Sequence, residues 1–310
     1  MQSALSLPNR IVGQAAYLWK RLIDTPLLWG WLAAGLLLTL LQEGWSALLQ
    51  GCANLLLLGM YVMLIRALTS DLPAPLPVRR PHRELAAAAA LLGAMFLIQL
   101  FDFGVWPLQP WQGWVQGFFT QIRAWVFGLG IPGWAQGSIY GAISSTIKQL
   151  LPTLILIWLL DCGRQEVWGS NPQIRLAAVL GGITAVFGLL TGVLLQAPPG
   201  QVLAVYGIGI FINALPEEMF FRGLLLPRLE KVLANPLNAL VISALLFNAI
   251  HVPLEISQGE PWVNAVLGIF RSDYPTGLLW GYLYLRTRSI LPGVFWHAAN
   301  GRLGFIFLNF

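Results

Sequence analysis

The sequence is poor in charge, in cysteine and in histidine. Only 10% of its 310 residues are Asp, Glu, Lys or Arg, whereas a soluble domain carries about a quarter. With 57% hydrophobic residues, the chain has more apolar side chains than one water-soluble core can bury, so we expect lipid to be its solvent. Its two cysteines, Cys52 and Cys162, form no CxxC motif and exclude a disulfide framework. We interpret both as small core residues.

The net charge of +5 at pH 7 does not predict a nucleic-acid partner. Basic residues occur in small groups between apolar runs and not on one face, which is the pattern of the positive-inside rule. One group precedes the first apolar run, which we interpret as a retained anchor, and another lies in the proline-rich residues 69–84. We therefore predict a multi-pass integral membrane protein of the cell membrane or an internal membrane. Its N-terminus and the 69–84 loop are expected to be cytoplasmic.

Apolar windows of membrane-spanning length predict helices in the first two thirds of the chain at residues 27–41, 45–68, 85–106, 140–160 and 176–195. Lys148 lies inside the fourth window, and its side chain is expected to snorkel to the interface or to cap a polar pocket. Trp111–Phe127 interleaves aromatic residues with Gln and Arg123, which predicts an interfacial amphipathic helix. A true span is the alternative, and the choice reverses the topology of every later segment.

From residue 201 onward, polar and charged residues fall inside the apolar segments. These segments cover residues 202–215 continuing into 216–229, then 237–252, 263–270, 276–285 and 290–308. We therefore divide the chain into residues 1–200, a transmembrane region of unknown role, and residues 201–310, which carry the chemistry. The predicted fold class is all-α: a polytopic transmembrane bundle of about eight to ten membrane or interfacial helices, with the active site enclosed by its C-terminal helices.

Two adjacent acids, Glu217 and Glu218, lie in the very apolar stretch that begins at Pro216. A carboxylate in a membrane core is costly and is usually functional. Glu218 and Arg222 are four residues apart and can pair on one helix face, whereas Glu217 points about a third of a turn away. Glu217 would then be the unpaired group that accepts and releases a proton. The structural alternative is a helix end at the membrane face, with Pro216 in its first turn and the acids at its positive dipole end.

Two of the three histidines lie in later apolar segments. Phe247 and His251 share one helix face, and so do His297 and Asn300. Each histidine alone would be interpreted as an interface residue or an interhelical hydrogen bond, and His82 in the basic loop as incidental. Together with the glutamate pair they indicate chemistry. A buried Glu with a His can deprotonate a water, and a second His with an Asn can stabilise an oxyanion. The sequence contains no HExxH motif and suggests no Ser or Cys nucleophile.

In these residues the chain resembles the CPBP intramembrane proteases, the family of the type II CAAX prenyl proteases and the bacteriocin-processing (ABI) proteins. The EExxxR motif, the FxxxH motif and the final His–Asn motif of that family are matched by Glu217, Glu218 and Arg222, by Phe247 and His251, and by His297 and Asn300. The resemblance covers residues 201–310 and implies a glutamate-dependent, metal-independent endopeptidase.

The resemblance also implies a role for each motif residue. Glu217 would be the general base, assisted by His251, while His297 and Asn300 would hold the oxyanion. The supporting residues would be Glu218, Arg222 and Phe247. One position departs from the family pattern: the family reads HxxxN, but here Asn300 is the third residue after His297 and the fourth is Gly301. On a helix these two positions flank the histidine on opposite sides, about 60° and about 40° away.

We therefore predict an intramembrane endopeptidase that uses Glu217-activated water to hydrolyse a peptide bond of a membrane-associated substrate, such as a prenylated protein or a leader peptide. No cofactor is expected, although two His and a Glu could bind Zn²⁺. The alternatives are a non-catalytic scaffold or immunity protein of the same fold and a proton-coupled transporter. The transporter ranks last, because few polar residues besides Asp102 and Lys148 interrupt the first five apolar windows.

Overall fold

The computed structural model describes residues 25–69, 73–105, 110–169, 173–194, 196–270 and 276–298, and within them it contains helices and no strand. Six helical segments are long and apolar enough to cross a membrane, and the sixth of them, Pro236–Ser257, combines two shorter helices, Pro236–Ala249 and Val252–Ser257. The all-α class and the integral membrane location are confirmed. The helices are α1 (Pro26–Leu68), α2 (Pro81–Asp102), α3 (Trp111–Phe127), α4 (Gly133–Leu159), α5 (Arg164–Trp168), α6 (Ile174–Leu194), α7 (Pro199–Leu233), α8 (Pro236–Ala249), α9 (Val252–Ser257), α10 (Trp262–Gly268), α11 (Thr276–Thr287) and α12 (residues 291–298).

Helix α1 is divided at Gly44, whose backbone is not helical (φ 82°). A straight helix of this length would measure about 64 Å, twice the thickness of the hydrocarbon core. Trp31 before the break and Ile65 after it both belong to the same buried core. The break therefore divides α1 into two helical halves. It lies at the connector that the sequence predicts between residues 27–41 and 45–68.

The ion pair between Arg79 and Asp161 (Nη1 to Oδ2, 3.1 Å) joins the start of α2 to the end of α4. These two helices are therefore antiparallel, and the connection that contains α3 lies at their other end. Helix α3 packs on both of them there. It exposes Trp114 and Trp125 while burying Phe119, as expected for an interfacial helix. The interfacial prediction for Trp111–Phe127 is thus supported over the alternative of a true span.

Ionic contacts concentrate at the end of the bundle where α2 begins and α7 ends. Arg228 of α7 contacts Glu84 of α2 (Nε to Oε2, 3.0 Å), and Arg288 contacts Glu230 (Nη1 to Oε2, 2.6 Å). Arg286 donates to the hydroxyl of Thr69. We call this the arginine-rich end. The opposite end is where α2 finishes and α4 begins.

Helix α7 is the centre of the bundle, since every residue from 216 to 230 is buried. The peripheral helices expose large apolar side chains, as a lipid-facing surface requires. Examples on α1 and α6 are Leu41, Leu49, Leu56, Val186, Phe187 and Leu190. Cys52 is exposed on this surface, so its interpretation as a core residue is wrong.

Candidate active site

The glutamate pair lies in the middle of α7, not at a helix end. Pro216 stands between two π-helical turns, Ile210–Ala214 and Met219–Leu225. Proline lacks a backbone N–H and clashes with the preceding turn, and π turns relieve such defects and are frequent at functional sites. The alternative in which Pro216 begins a helix at the membrane face is therefore wrong, because the helix starts at Pro199, well before the proline.

Glu218 and Arg222 form the ion pair that their spacing predicts (Oε1 to Nη1, 3.1 Å), and both side chains are only 1% exposed. Arg222 also donates through Nη2 to the Gly277 carbonyl of α11 (3.0 Å). Its guanidinium lies 4.8 Å from the ring centroid of Phe247 on α8. One arginine thus neutralises Glu218 and joins three helices.

His251 follows α8 and reaches towards Glu217. Its Nδ1 lies 2.8 Å from the Phe247 carbonyl oxygen. A carbonyl only accepts, so Nδ1 carries the proton in this contact and the neutral ring presents the lone pair of Nε2. That Nε2 is 4.0 Å from Glu217 Oε1.

His297, on α12, contacts both glutamates. Its Nδ1 is 3.1 Å from Glu218 Oε1, and its Nε2 is 3.5 Å from Glu217 Oε2. The ring stacks on Trp280 with a centroid distance of 3.7 Å and an interplanar angle of 17°. Trp280 is a site residue that the motifs do not reveal, because no charged residue stands near it in the sequence.

Phe247 separates the ionic groups from the surrounding apolar core. Its ring contacts those of Phe221, His251 and Trp280, with centroids 5.2, 5.0 and 5.7 Å away. Helix α12 approaches closely through Gly293, where a Cβ atom would lie 2.8 Å from Glu218 Oε2. The predicted residues Glu217, Glu218, Arg222, Phe247, His251 and His297 therefore form one cluster. Asn300 lies outside the described residues, and His82 is exposed at the start of α2, away from the cluster.

A cavity of about 620 Å³ adjoins the cluster, with Glu217 and His251 in its wall. The site side chains come from the C-terminal helices, as predicted, but most of the opposite wall comes from α2, α3 and α4. Its polar lining residues there are Gln99, Asp102, Gln116, Thr120, Arg123, Tyr140, Ser144, Ser145, Lys148 and Gln149. The N-terminal region, whose role the sequence leaves open, thus supplies a polar wall for the site.

Lys148 fulfils the second of its two predicted roles, because it pairs with Asp102 inside the cavity wall. Its ammonium lies 4.4 Å from the ring centroid of Phe119. Asn213, one turn before Glu217, also lines the cavity, and its buried Oδ1 has no hydrogen-bond partner in the described part of the chain. No motif indicates Asn213 or the Asp102–Lys148 pair.

A second buried cluster lies at the arginine-rich end. The ligand atoms of Glu84, Cys162 and Glu166 lie within 4.8 Å of one another, close enough to hold a metal ion. Arg228, however, contacts all three: Glu84 Oε2 at 3.0 Å, Cys162 Sγ at 3.0 Å and Glu166 Oε2 at 3.6 Å. Its guanidinium provides the positive charge that these groups need. Burial raises the pKa of the Cys162 thiol, and the charge of Arg228 opposes that rise.

Comparison with known proteins identifies the C-terminal third. Residues 198–301 match the family described as type II CAAX prenyl endopeptidase, Rce1-like, and the family resemblance seen in the motifs is confirmed for this segment. The chain is 32% identical, over 110 residues, to the uncharacterized protein YyaK of Bacillus subtilis (strain 168). The match covers 35% of this chain and 34% of that protein, so the chain spans about a third of the length of the curated relative it matches. No solved structure matches.

Proposed function

We propose that the chain is an intramembrane endopeptidase in which Glu217 activates the attacking water. The environment of Glu217 carries the proposal: it is 6% exposed, lies in the cavity wall, and pairs with no Arg or Lys in the described part of the chain, unlike its neighbour Glu218. Its Oε2 lacks a hydrogen-bond partner among the described residues. A carboxylate held in this way binds a water readily and can accept its proton.

The gap between Glu217 Oε1 and His251 Nε2 suits a bridging water. Two hydrogen bonds of about 2.8 Å from one water can span the observed 4.0 Å. The water oxygen attacks the peptide carbonyl carbon and passes a proton to Glu217, and the carbonyl oxygen becomes an oxyanion. When the C–N bond breaks, Glu217 returns that proton to the leaving nitrogen, which becomes the new amine.

The other residues position and stabilise these groups. Because Arg222 neutralises Glu218, the proton goes to Glu217 and not to its neighbour. The Nδ1 of His297 donates to Glu218, which turns the Nε2 of the same ring towards Glu217. When the ring carries a proton on both nitrogens, this Nε2 can donate to the oxyanion. Asn300 remains our proposed second donor, and Asn213 offers a further amide from the cavity wall. Metal independence and a membrane-anchored peptide substrate are parts of the same proposal.

The test compares membrane proteins cleaved in cells that carry the wild-type chain, Glu217→Gln or Glu260→Gln. Glu217→Gln keeps shape and hydrogen bonding but removes the base, so its cleavage products should be absent. Glu260 is exposed and does not line the cavity, so Glu260→Gln should cleave like the wild type. Cleavage retained by purified Glu217→Gln would overturn the assignment, and a phenotype retained without cleavage would indicate the scaffold or immunity function. Loss of cleavage in a chelator would show that a metal is required.

A further inference from the structure

The cavity extends from Glu217 away from the arginine-rich end. Along α7, Glu217 precedes Arg228 by about 16 Å. Along α2, Asp102 in the cavity wall lies about 27 Å beyond Glu84, which contacts Arg228 at the arginine-rich end. Between Glu217 and the arginine-rich end, α7 is buried on all sides. The cavity is therefore built into the half of the bundle nearer the opposite end.

The interfacial helix α3 forms the rim of the cavity. Thr120 and Arg123 line it and are exposed on the surface of the bundle, whereas Phe119 beside them is buried. Since α3 lies where α2 finishes and α4 begins, this rim faces the opposite end of the bundle.

Basic residues assign the two ends to the two sides of the membrane. The described part of the arginine-rich end carries Arg66, Arg79, Arg80, Arg83, Arg164, Arg175, Arg228, Lys231, Arg286 and Arg288. The described residues at and near the opposite end carry Arg123, the Asp102–Lys148 pair of the cavity wall, and the acids Glu43, Glu255 and Glu260. Short connections rich in Lys and Arg stay in the cytoplasm. By this rule the arginine-rich end is the cytoplasmic one, the same orientation that the basic residues of the 69–84 loop predict.

We propose that the cavity opens to the non-cytoplasmic side and that the site takes peptide segments presented from that side. The polar side chains of its wall suit an unwound segment, because a backbone without helical hydrogen bonds needs partners at membrane depth. The substrate class is therefore a membrane-anchored chain whose scissile bond is unwound at its non-cytoplasmic membrane boundary. This substrate class rests on the proposed endopeptidase function, whereas the side of access does not.

Cysteine labelling tests the side of access without requiring catalysis. In a Cys52→Ala, Cys162→Ser background, single variants carry a thiol at the rim (Thr120→Cys), inside the cavity (Ser145→Cys) or at the arginine-rich end (Arg83→Cys). Intact and permeabilised cells are treated with a membrane-impermeant maleimide. Variants that keep the parent's thermal stability in detergent enter the comparison, and Ser144→Cys, which also lines the cavity on the same turn of α4, replaces Ser145→Cys if the latter fails to fold.

Thr120→Cys and Ser145→Cys should react in intact cells, and Arg83→Cys only after permeabilisation. The reverse pattern would overturn the proposal. So would a Ser145→Cys variant that reacts under neither condition while Thr120→Cys reacts. A second measurement tests the substrate class: the Glu217-dependent cleavage sites should map to non-cytoplasmic boundaries, and sites on the cytoplasmic side would refute it. Labelling reports the side of access whether or not Glu217→Gln still cleaves. A wrong side of access and a wrong assignment of the catalytic base therefore give different results.

Discussion

Removal of Arg222 should destabilise the protein strongly, because it leaves the carboxylate of Glu218 buried without its counter-ion. Both side chains are 1% exposed, so water cannot replace the lost charge. Breaking one partner of a buried ion pair typically costs about 3–5 kcal/mol. Arg222→Met also removes the hydrogen bond to the Gly277 carbonyl. We therefore expect the free energy of unfolding to fall by about 3–5 kcal/mol, towards the upper limit of that range.

A double variant separates lost charge from lost packing. Glu218→Gln combined with Arg222→Met removes both charges, and neutral replacements of a buried pair are often tolerated. It should therefore recover most of the stability that Arg222→Met loses. Because the pair also directs protonation to Glu217, the double variant should still cleave more slowly than the wild type.

The measurement is denaturant unfolding in detergent micelles, followed by tryptophan fluorescence. Arg79→Met is the control, since Arg79 is 66% exposed and its nearer partner Asp161 is 93% exposed. Its second partner, the buried Glu166, keeps Arg228 as a counter-ion when Arg79 is replaced. Exposed pairs contribute about 0–1 kcal/mol, so this variant should unfold nearly like the parent. If Arg222→Met also unfolds within about 1 kcal/mol of the parent, or if the double variant is no more stable than Arg222→Met, the reasoning fails.

Two further predictions concern close packing and the cavity wall. Gly293→Ala should lower the free energy of unfolding by about 1–3 kcal/mol, since the new methyl group would meet the fixed Glu218 carboxylate at 2.8 Å. Gly207→Ala, with nothing within 4 Å, should be neutral or stabilising in the same unfolding assay. Asn213→Ala should lower kcat about 100-fold if its amide binds the reacting carbonyl. Asn238→Ala removes an amide that lies outside the cavity and whose Oδ1 likewise has no hydrogen-bond partner among the described residues. It should leave kcat unchanged, and equal kcat values for the two variants would contradict the role of Asn213.

The sequence suffices for features set by local spacing. Apolar windows locate the long helices because length and hydropathy determine which segments can cross a membrane. The Glu218–Arg222 pair follows from a four-residue step on one helix. The break at Gly44 can also be predicted, since this glycine and the two polar residues before it interrupt an apolar run.

Features that depend on distant segments cannot be predicted in this way. The stacking of Trp280 on His297 joins two helices whose relative rotation is set by packing. The Asp102–Lys148 pair joins α2 to α4, and neither residue has a motif around it. The local sequence around Pro216 fits both a proline that begins a helix and a proline inside one, so it cannot distinguish the two. Tertiary packing decides between them, because the surrounding helices bury every residue of the π turn that follows the proline, Met219–Leu225.

The cavity explains why the motif helices need the rest of the chain. Hydrolysis consumes water, and Glu217 on α7 alone would face hydrocarbon, where its charged form is strongly disfavoured. Helices α2, α3 and α4 replace that hydrocarbon with hydroxyl, amide and ionic groups that can hold water beside the carboxylate. The Asp102–Lys148 pair keeps this wall polar without adding net charge next to Glu217. The N-terminal region is therefore part of the proposed active site. The motif residues provide the acid, the base and the ion pair, and the preceding helices provide the polar, hydrated space in which those groups can react.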